Sequence, residues 1–253
     1  PELGFKEFRT AGIVKNYLEA LGLDEVHTCS GTGVIGILKG GRPGKRVILR
    51  ADIDALPIQE ESGEPFASET PGIAHACGHD GHTAMLLGAA KIWAAHREEI
   101  PGTLVFLFQP NEEDAGAQIM IDDGAMEITG KPDAIFGYHL WANFPLGKIG
   151  VHPGPTMASS YYFKVKIHGK GGHGGEPHGA INPIDAATYV LSAIKSFHTL
   201  EQDVFQPTVI TCCMIHAGQK EIIVPDDLEM EGSIRCLHQG HEAVHARFRE
   251  MVE

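Results

Sequence analysis

Thr103-Leu104-Val105-Phe106-Leu107-Phe108, followed at once by Gln109-Pro110-Asn111-Glu112-Glu113, is the stretch that decides the fold. A strand with one wet face alternates apolar and polar residues; an unbroken apolar run is a strand covered on both faces. Such strands sit in parallel sheets flanked by helices. The surrounding pattern agrees, with further strands expected at Val34 to Leu38, Arg46 to Ala51 and Ala134 to Tyr138. Phe5, Phe8, Ile13, Tyr17 and Leu21 have helical spacing, and the Ala- and Leu-rich stretch His82 to Ala95 reads as a buried helix. The first half is therefore expected to be α/β with a mostly parallel sheet.

The pattern changes near Ser159. Phe163, Val165 and Ile167 alternate with Lys164, Lys166 and His168, as in a strand of an antiparallel sheet with one solvated face. Asn182-Pro183 then reads as the N-cap and first residue of a helix with Ile184, Ala187, Leu191 and Ile194 on its apolar stripe. Thr208 to Ala217 and Leu228 to Cys236 read as strands, and His241 to Glu253 as a helix. That order predicts an α+β unit of split βαβ type. Two domains are expected, 1–158 and 159–253.

Composition narrows the function. The chain has 253 residues, a formal net charge of −13 and 43% hydrophobic residues. Acidic charge spread along a globular chain speaks against nucleic acid and anionic membrane as partners. No apolar run approaches the roughly 20 residues of a membrane span, and Pro1 to Lys6 lacks the apolar centre of a signal peptide, so a cytoplasmic location is expected. Five cysteines, with Cys212 and Cys213 adjacent, do not suggest a disulfide framework. The absence of an initiator Met and the helical finish lead us to expect a piece of a longer chain.

In open α/β sheets the functional crevice lies beyond the carboxyl ends of the strands. Asp52 and Asp54 follow the Arg46 to Ala51 strand, Glu112 and Glu113 follow the apolar strand, and His139 follows Ala134 to Tyr138. His75-Ala76-Cys77-Gly78-His79-Asp80-Gly81-His82 precedes the buried helix. Taken singly, these are strand-end acids, capping residues or buried histidines. Cys, three His and an Asp within eight residues is a donor set for a borderline metal. Cys77 and His79, two apart, would point to one side of an extended backbone. Adjacent Glu112 and Glu113 suit the two carboxylate tasks of a metal-activated water, one as ligand and one as base. Gly169 to Gly175 matches neither the dinucleotide fingerprint nor the P-loop, so it is either a flexible turn or a loop presenting His173; no nucleophile elbow supports serine chemistry.

With these residues in view, Leu49 to Pro57, His75 to His82, Phe108 to Glu113 and Gly169 to His173 resemble the hippurate hydrolase family, whose relatives include indole-acetyl-amino-acid hydrolases, N-acetyl-diaminopimelate deacetylases and aminoacylases. The resemblance implies a two-metal catalytic domain with an inserted lid and dimerisation domain, and homodimers formed through the lid. It implies metal ligands at Cys77, His79, Glu113 and His139, a general base at Glu112 and an oxyanion contact from His173 across the dimer. Arg235 would hold the substrate carboxylate, with Asp52, Asp54 and Asp80 supporting the metal site. The implied cofactors are two divalent ions, manganese or zinc, with cobalt and nickel as further candidates; the implied substrate is a small N-acyl amino acid. A dipeptidase of the same mechanism and a non-catalytic metal-binding homologue are the alternatives. The sequence departs from its relatives at Ile222, where Asn is common, and at Gly174, where Ala is usual. The family's last metal-binding His lies in a C-terminal part that this sequence is expected to lack.

Overall fold

The computed structural model describes residues 1–253. It separates into two compact units, Pro1–Leu146 and Gly147–Glu253.

The first unit contains α1 (Phe8–Ala20), β1 (Glu25–Cys29), β2 (Gly33–Lys39), β3 (Arg42–Asp52), α2 (His79–Ala95), β4 (Pro101–Gln109), α3 (Gly116–Asp122), α4 (Ala125–Thr129) and β5 (Ala134–Gly137). Its sheet has the order β1-β2-β4-β3-β5. The strands that run into the expected site residues, β4, β3 and β5, are mutually parallel, and β2 and β1 extend the sheet as an antiparallel arm. β1 was not foreseen. Glu-Val-His-Thr-Cys has little apolar character, and it forms a strand because it pairs with β2 from Glu25↔Ile37 to Cys29↔Gly33.

The decisive apolar run is covered on both sides. Phe106 and Phe108 pack with Val34, Leu38, Ala51 and Ile53 against Val14 and Leu18 of α1 and Leu86 and Ala90 of α2. Val105, Ile35, Ile37 and Ile48 face the other way, against Met120 of α3 and Ala125 of α4. Helices on both faces are what exempts this strand from alternation.

The second unit contains β6 (Ser159–His168), β7 (Gly172–His173), α5 (Pro183–Ser196), β8 (Thr208–Ala217), β9 (Ile223–Val224), β10 (Asp227–Cys236) and α6 (His241–Val252). Its sheet, β6-β10-β8, is antiparallel. Phe163, Ile210 and Ile234 on one face pack against Ile194 of α5 and Phe248 of α6, while Lys164 and Glu231 pair on the other. Asn182 caps α5 as expected, its Oδ1 accepting from Ile184 N at 3.1 Å. The Gly-rich loop is partly ordered by pairing of β7 with β9. Residues 147–158, between the end of the first unit and β6, contain no helix or strand.

Candidate metal centre

Because β3, β4 and β5 run parallel, the segments after Asp52, Gln109 and Gly137 emerge at the same edge of the sheet. The N-terminus of α2 meets them there. Gly78 precedes the helix with φ +84, a left-handed conformation that a side chain resists, and the chain turns sharply at it into His79. α2 thus starts earlier than His82, and Cys77 and His79 are brought to one place by a turn and a helix start rather than by extended backbone.

His79 is the hub. It is 1% exposed, and its Nδ1 lies 2.9 Å from the Asp54 carbonyl and 3.2 Å from Asp54 Oδ1. Both neighbours are acceptors, so Nδ1 carries the proton and Nε2 presents a lone pair. That Nε2 is buried and has no hydrogen-bond partner. Around it stand Asp52 Oδ2 at 3.8 Å, Glu113 Oε1 at 3.9 Å and Glu112 Oε2 at 4.0 Å. A buried lone pair facing carboxylates too far away to bond has the surroundings of a cation site. Cys77 Sγ, 3.2 Å from His139 Nε2, completes the surroundings; the other ring nitrogen of His139 donates to the Leu140 carbonyl.

Ligand atoms form three overlapping groups, each within 4.8 Å: Cys77, His79 and His139; His79, Glu112 and Glu113; and Asp52, His79 and His82. In the third, Asp52 and His82 are already matched by each other and by their neighbours. His82 Nδ1 donates to Asp52 Oδ1 at 2.6 Å and its Nε2 accepts from Leu140 N at 2.8 Å, while Arg50 Nη1 donates to Asp52 Oδ2 at 2.6 Å. Arg50 also donates to Gln109 Oε1 at 3.0 and 2.8 Å. Asp54 Oδ2 accepts from Glu113 N at 3.2 Å, so Asp54 ties the Glu113 backbone to the His79 ring.

The electrostatics follow from crowding. Burial, then the charges of Glu113, Glu112 and Asp52, push the Cys77 thiol up to about 12. Burial also raises Glu112, opposed by Arg50 and reinforced by Asp52 and Glu113. For Asp52 burial works upward too, but Arg50, His82 and His79 outweigh it and hold the carboxyl below its ordinary value. A divalent cation inverts this balance for a coordinating thiol.

The structure thus gathers Cys77, His79, Glu112, Glu113 and His139 around one point, with Asp52 also facing His79 Nε2 and Asp54 behind the ring at Nδ1. Asp80 is exposed in the first turn of α2, its Oδ1 accepting from Gly81 N. In the second unit, His173 lies in β7 with Nδ1 accepting from Gly175 N at 3.0 Å. Arg235 donates to Ser160 Oγ and Tyr162 Oη, its guanidinium carbon 5.5 Å from the Tyr162 ring centroid. Sequence reasoning did not assign roles to His82, Arg50 or Gln109. The available signals were helical spacing, which puts His82 on the face of His79, and alternation, which puts Arg50 on the side of Asp52.

Fold and donor set together define a divalent-metal site at the carboxyl edge of a parallel sheet. The model of peptidase family M20/M25/M40 matches residues 48–248, and the chain belongs to that family. It is 43% identical over 244 residues to thermostable carboxypeptidase 2 of Saccharolobus solfataricus, covering 94% of this chain and 61% of the relative. It is 42% identical over 241 residues to an N-acyl-L-amino acid amidohydrolase of Geobacillus stearothermophilus, covering 94% and 64%. Among solved structures it resembles the YXEP protein of Bacillus subtilis, described as a dinuclear metal binding peptidase from the M20 family, with TM-score 0.82 and 36% identity over 100% of this chain and 65% of that one. The chain spans about three fifths of the length of the first curated relatives it matches. No helix is long and apolar enough to cross a membrane.

Proposed function

We propose that this protein is a metal-dependent amidohydrolase that cleaves the amide bond of N-acyl amino acids, releasing a carboxylic acid and a free amino acid. The observation that carries the reading is the buried, unpartnered Nε2 of His79 facing Glu112 and Glu113. Kinship with an N-acyl-L-amino acid amidohydrolase supports the substrate class.

In this reading Cys77, His79, Glu113 and His139 hold two divalent ions, manganese or zinc being favoured by the mixed Cys, His and carboxylate set. When bound, the ions supply Lewis acidity to water and to the amide carbonyl. Glu112, not needed as a ligand, takes the proton of the attacking water as its oxygen bonds the carbonyl carbon. It then gives that proton to the nitrogen as the C–N bond breaks. Its Oε2, 4.0 Å from His79 Nε2, is within reach of a water at that point, as a general base must be. Asp54 fixes the His79 tautomer, Asp52, held by Arg50 and His82, supports the site from the Nε2 side, and Asp80 supports it from the helix start. His173 and Arg235 stabilise the oxyanion and the substrate carboxylate, and residues 159–253 act as a lid and dimerisation domain in a cytoplasmic homodimer.

The test uses the full-length protein loaded with manganese or zinc, following amino acid release from N-acetyl, N-benzoyl and N-indoleacetyl amino acids. Glu112→Gln should keep metal and lose turnover. Metal uptake without release would discard the reading, and a dipeptide panel would then separate a dipeptidase from a non-catalytic metal binder.

A further inference from the structure

We propose that Glu7 is a positioning residue for the Glu112–Glu113 loop, acting through the backbone amide of Asn111. The proposal rests on the assignment of Glu112 as base and Glu113 as ligand.

Glu7 sits at the N-cap of α1, where a carboxylate usually accepts from the first free amides of its own helix. Here it makes no such bond. That task falls to Glu2, whose oxygens accept from Arg9 N at 3.0 Å and Thr10 N at 2.9 Å. The Glu7 side chain turns inward instead and is fully buried, at 0% exposure. Its Oε1 accepts from Asn111 N at 3.0 Å and its Oε2 from the Thr32 hydroxyl at 2.6 Å. A buried carboxylate is retained only where hydrogen bonds compensate its desolvation, and one of these two lands on the residue immediately before the proposed base.

Asn111 is where the chain changes direction. It leaves β4 in a left-handed conformation, φ 50 and ψ 47, and its carbonyl accepts from Gly116 N at 2.7 Å. The loop it opens is held at Glu113 by Asp54 Oδ2. Glu7 supplies the matching hold at the other side of Glu112. Gly4 closes the back of the same contact, because a Cβ there would lie 1.7 Å from Asn111 Oδ1. Gly4 and Glu7 thus pack against Asn111, the residue before the two carboxylates, and Glu7 does so from 104 positions away in sequence. With the amide of Asn111 released, the peptide before Glu112 is free to rotate, and both side chains lose their common aim at His79 Nε2.

The test compares Glu7→Met, similar in length but without an acceptor, with Glu7→Gln, which keeps a carbonyl oxygen for Asn111 N. Two readouts are taken on folded full-length protein: steady-state hydrolysis of an N-acyl amino acid, and visible absorption during cobalt(II) titration of metal-free protein. Glu7→Met should lose about 10- to 100-fold in kcat or in cobalt affinity, as removal of a partner behind a metal ligand does, with KM little changed and an altered cobalt spectrum. Glu7→Gln should recover most of both. If Glu7→Met does not fold, Gly4→Ala, which displaces Asn111 from the other side, should give the same signature. Wild-type kcat and cobalt spectrum in the Met variant, even with a lowered melting temperature, would overturn the proposal, as would equal impairment of the Gln and Met variants. A wild-type protein that hydrolyses nothing sinks the amidohydrolase reading alone, because the cobalt comparison still decides the role of Glu7.

Discussion

Replacing His82 with Leu isolates what the Asp52–His82–Leu140 chain contributes. His82 is 1% exposed and uses both ring nitrogens, donating to Asp52 Oδ1 and accepting from Leu140 N. Leu fills most of the volume but leaves one oxygen of a buried carboxylate without its donor, a loss of about 1–3 kcal/mol. The partly buried Leu140 amide loses its acceptor too, which adds about 1 kcal/mol. A total near 3 kcal/mol lowers the melting temperature by roughly 6–12 °C in a protein of this size. Leu140 adjoins His139, so the loop that presents His139 to Cys77 should loosen and metal affinity fall by about 10- to 100-fold. Circular dichroism melts and zinc or cobalt titrations read the two effects separately. His82→Asn, whose amide overlays Nδ1, should keep more of the stability, and His82→Gln, which overlays Nε2, more of the metal affinity. A Leu variant that melts within about 2 °C of wild type and binds metal within about twofold would refute the reasoning.

Other outcomes follow from the same structure. Phe106, fully buried between the sheet and the α1/α2 layer, should lose about 3–5 kcal/mol on truncation to Ala, measured from denaturant midpoints; a loss under about 1 kcal/mol would mean the core collapses into the gap. Burial alone would raise Glu2, but hydrogen bonds from Arg9 N, Thr10 N and the Thr10 hydroxyl hold it below its ordinary 4.5. A depressed folded pKa gives stability that is present above 4.5 and lost as pH falls through the folded value, so Glu2→Gln should flatten the stability profile only on that acid side. Melts of the Gln variant that parallel wild type from pH 6 to pH 3 would rule this out. Stripping metal with a chelator should lower the melting temperature and restoring zinc should raise it, by about 2.7 kcal/mol of linkage at a hundredfold excess over Kd; no shift on either step would deny a native metal site.

The sequence was most legible where local pattern and tertiary role coincide. Thr103 to Phe108 lies inside β4, and Arg46 to Ala51 inside β3, because burial on two faces leaves a direct trace in composition. The beginning of α2 was not legible, since His75 to His82 carries no apolar period and its turn depends on one left-handed glycine. β1 escaped for the opposite reason, being an edge strand made by its neighbour rather than by its residues. At the site, the donor residues were recognisable by type and by their place after strands. The partners that aim them were not, because His82–Asp52, Leu140–His82 and Arg50–Gln109 join positions 30, 58 and 59 apart, and hydrogen bonds over such distances leave no periodic mark.

β3 shows why core and chemistry coexist without compromising each other. Ala51 and Ile53 belong to the core beneath α1 and α2, with Leu49 packed against it. The alternate residues start as core on the other face, with Ile48 beside Met120 and Ala125, and then change character to Arg50, Asp52 and Asp54. Period-two geometry keeps the two sets apart, so charge enters the strand without entering the hydrophobic layer. The change falls where cover by α3 and α4 gives way to the meeting of strand ends and the α2 N-terminus. Each acid there is matched at once, Asp52 by Arg50 and His82, and Asp54 by His79 and Glu113 N. Those matches leave His79 Nε2 unpartnered amid surplus negative charge, and His75 Nδ1 close by is likewise buried without a partner. A buried, unpartnered lone pair set among carboxylates that cannot bond it has the electrostatics of a cation site.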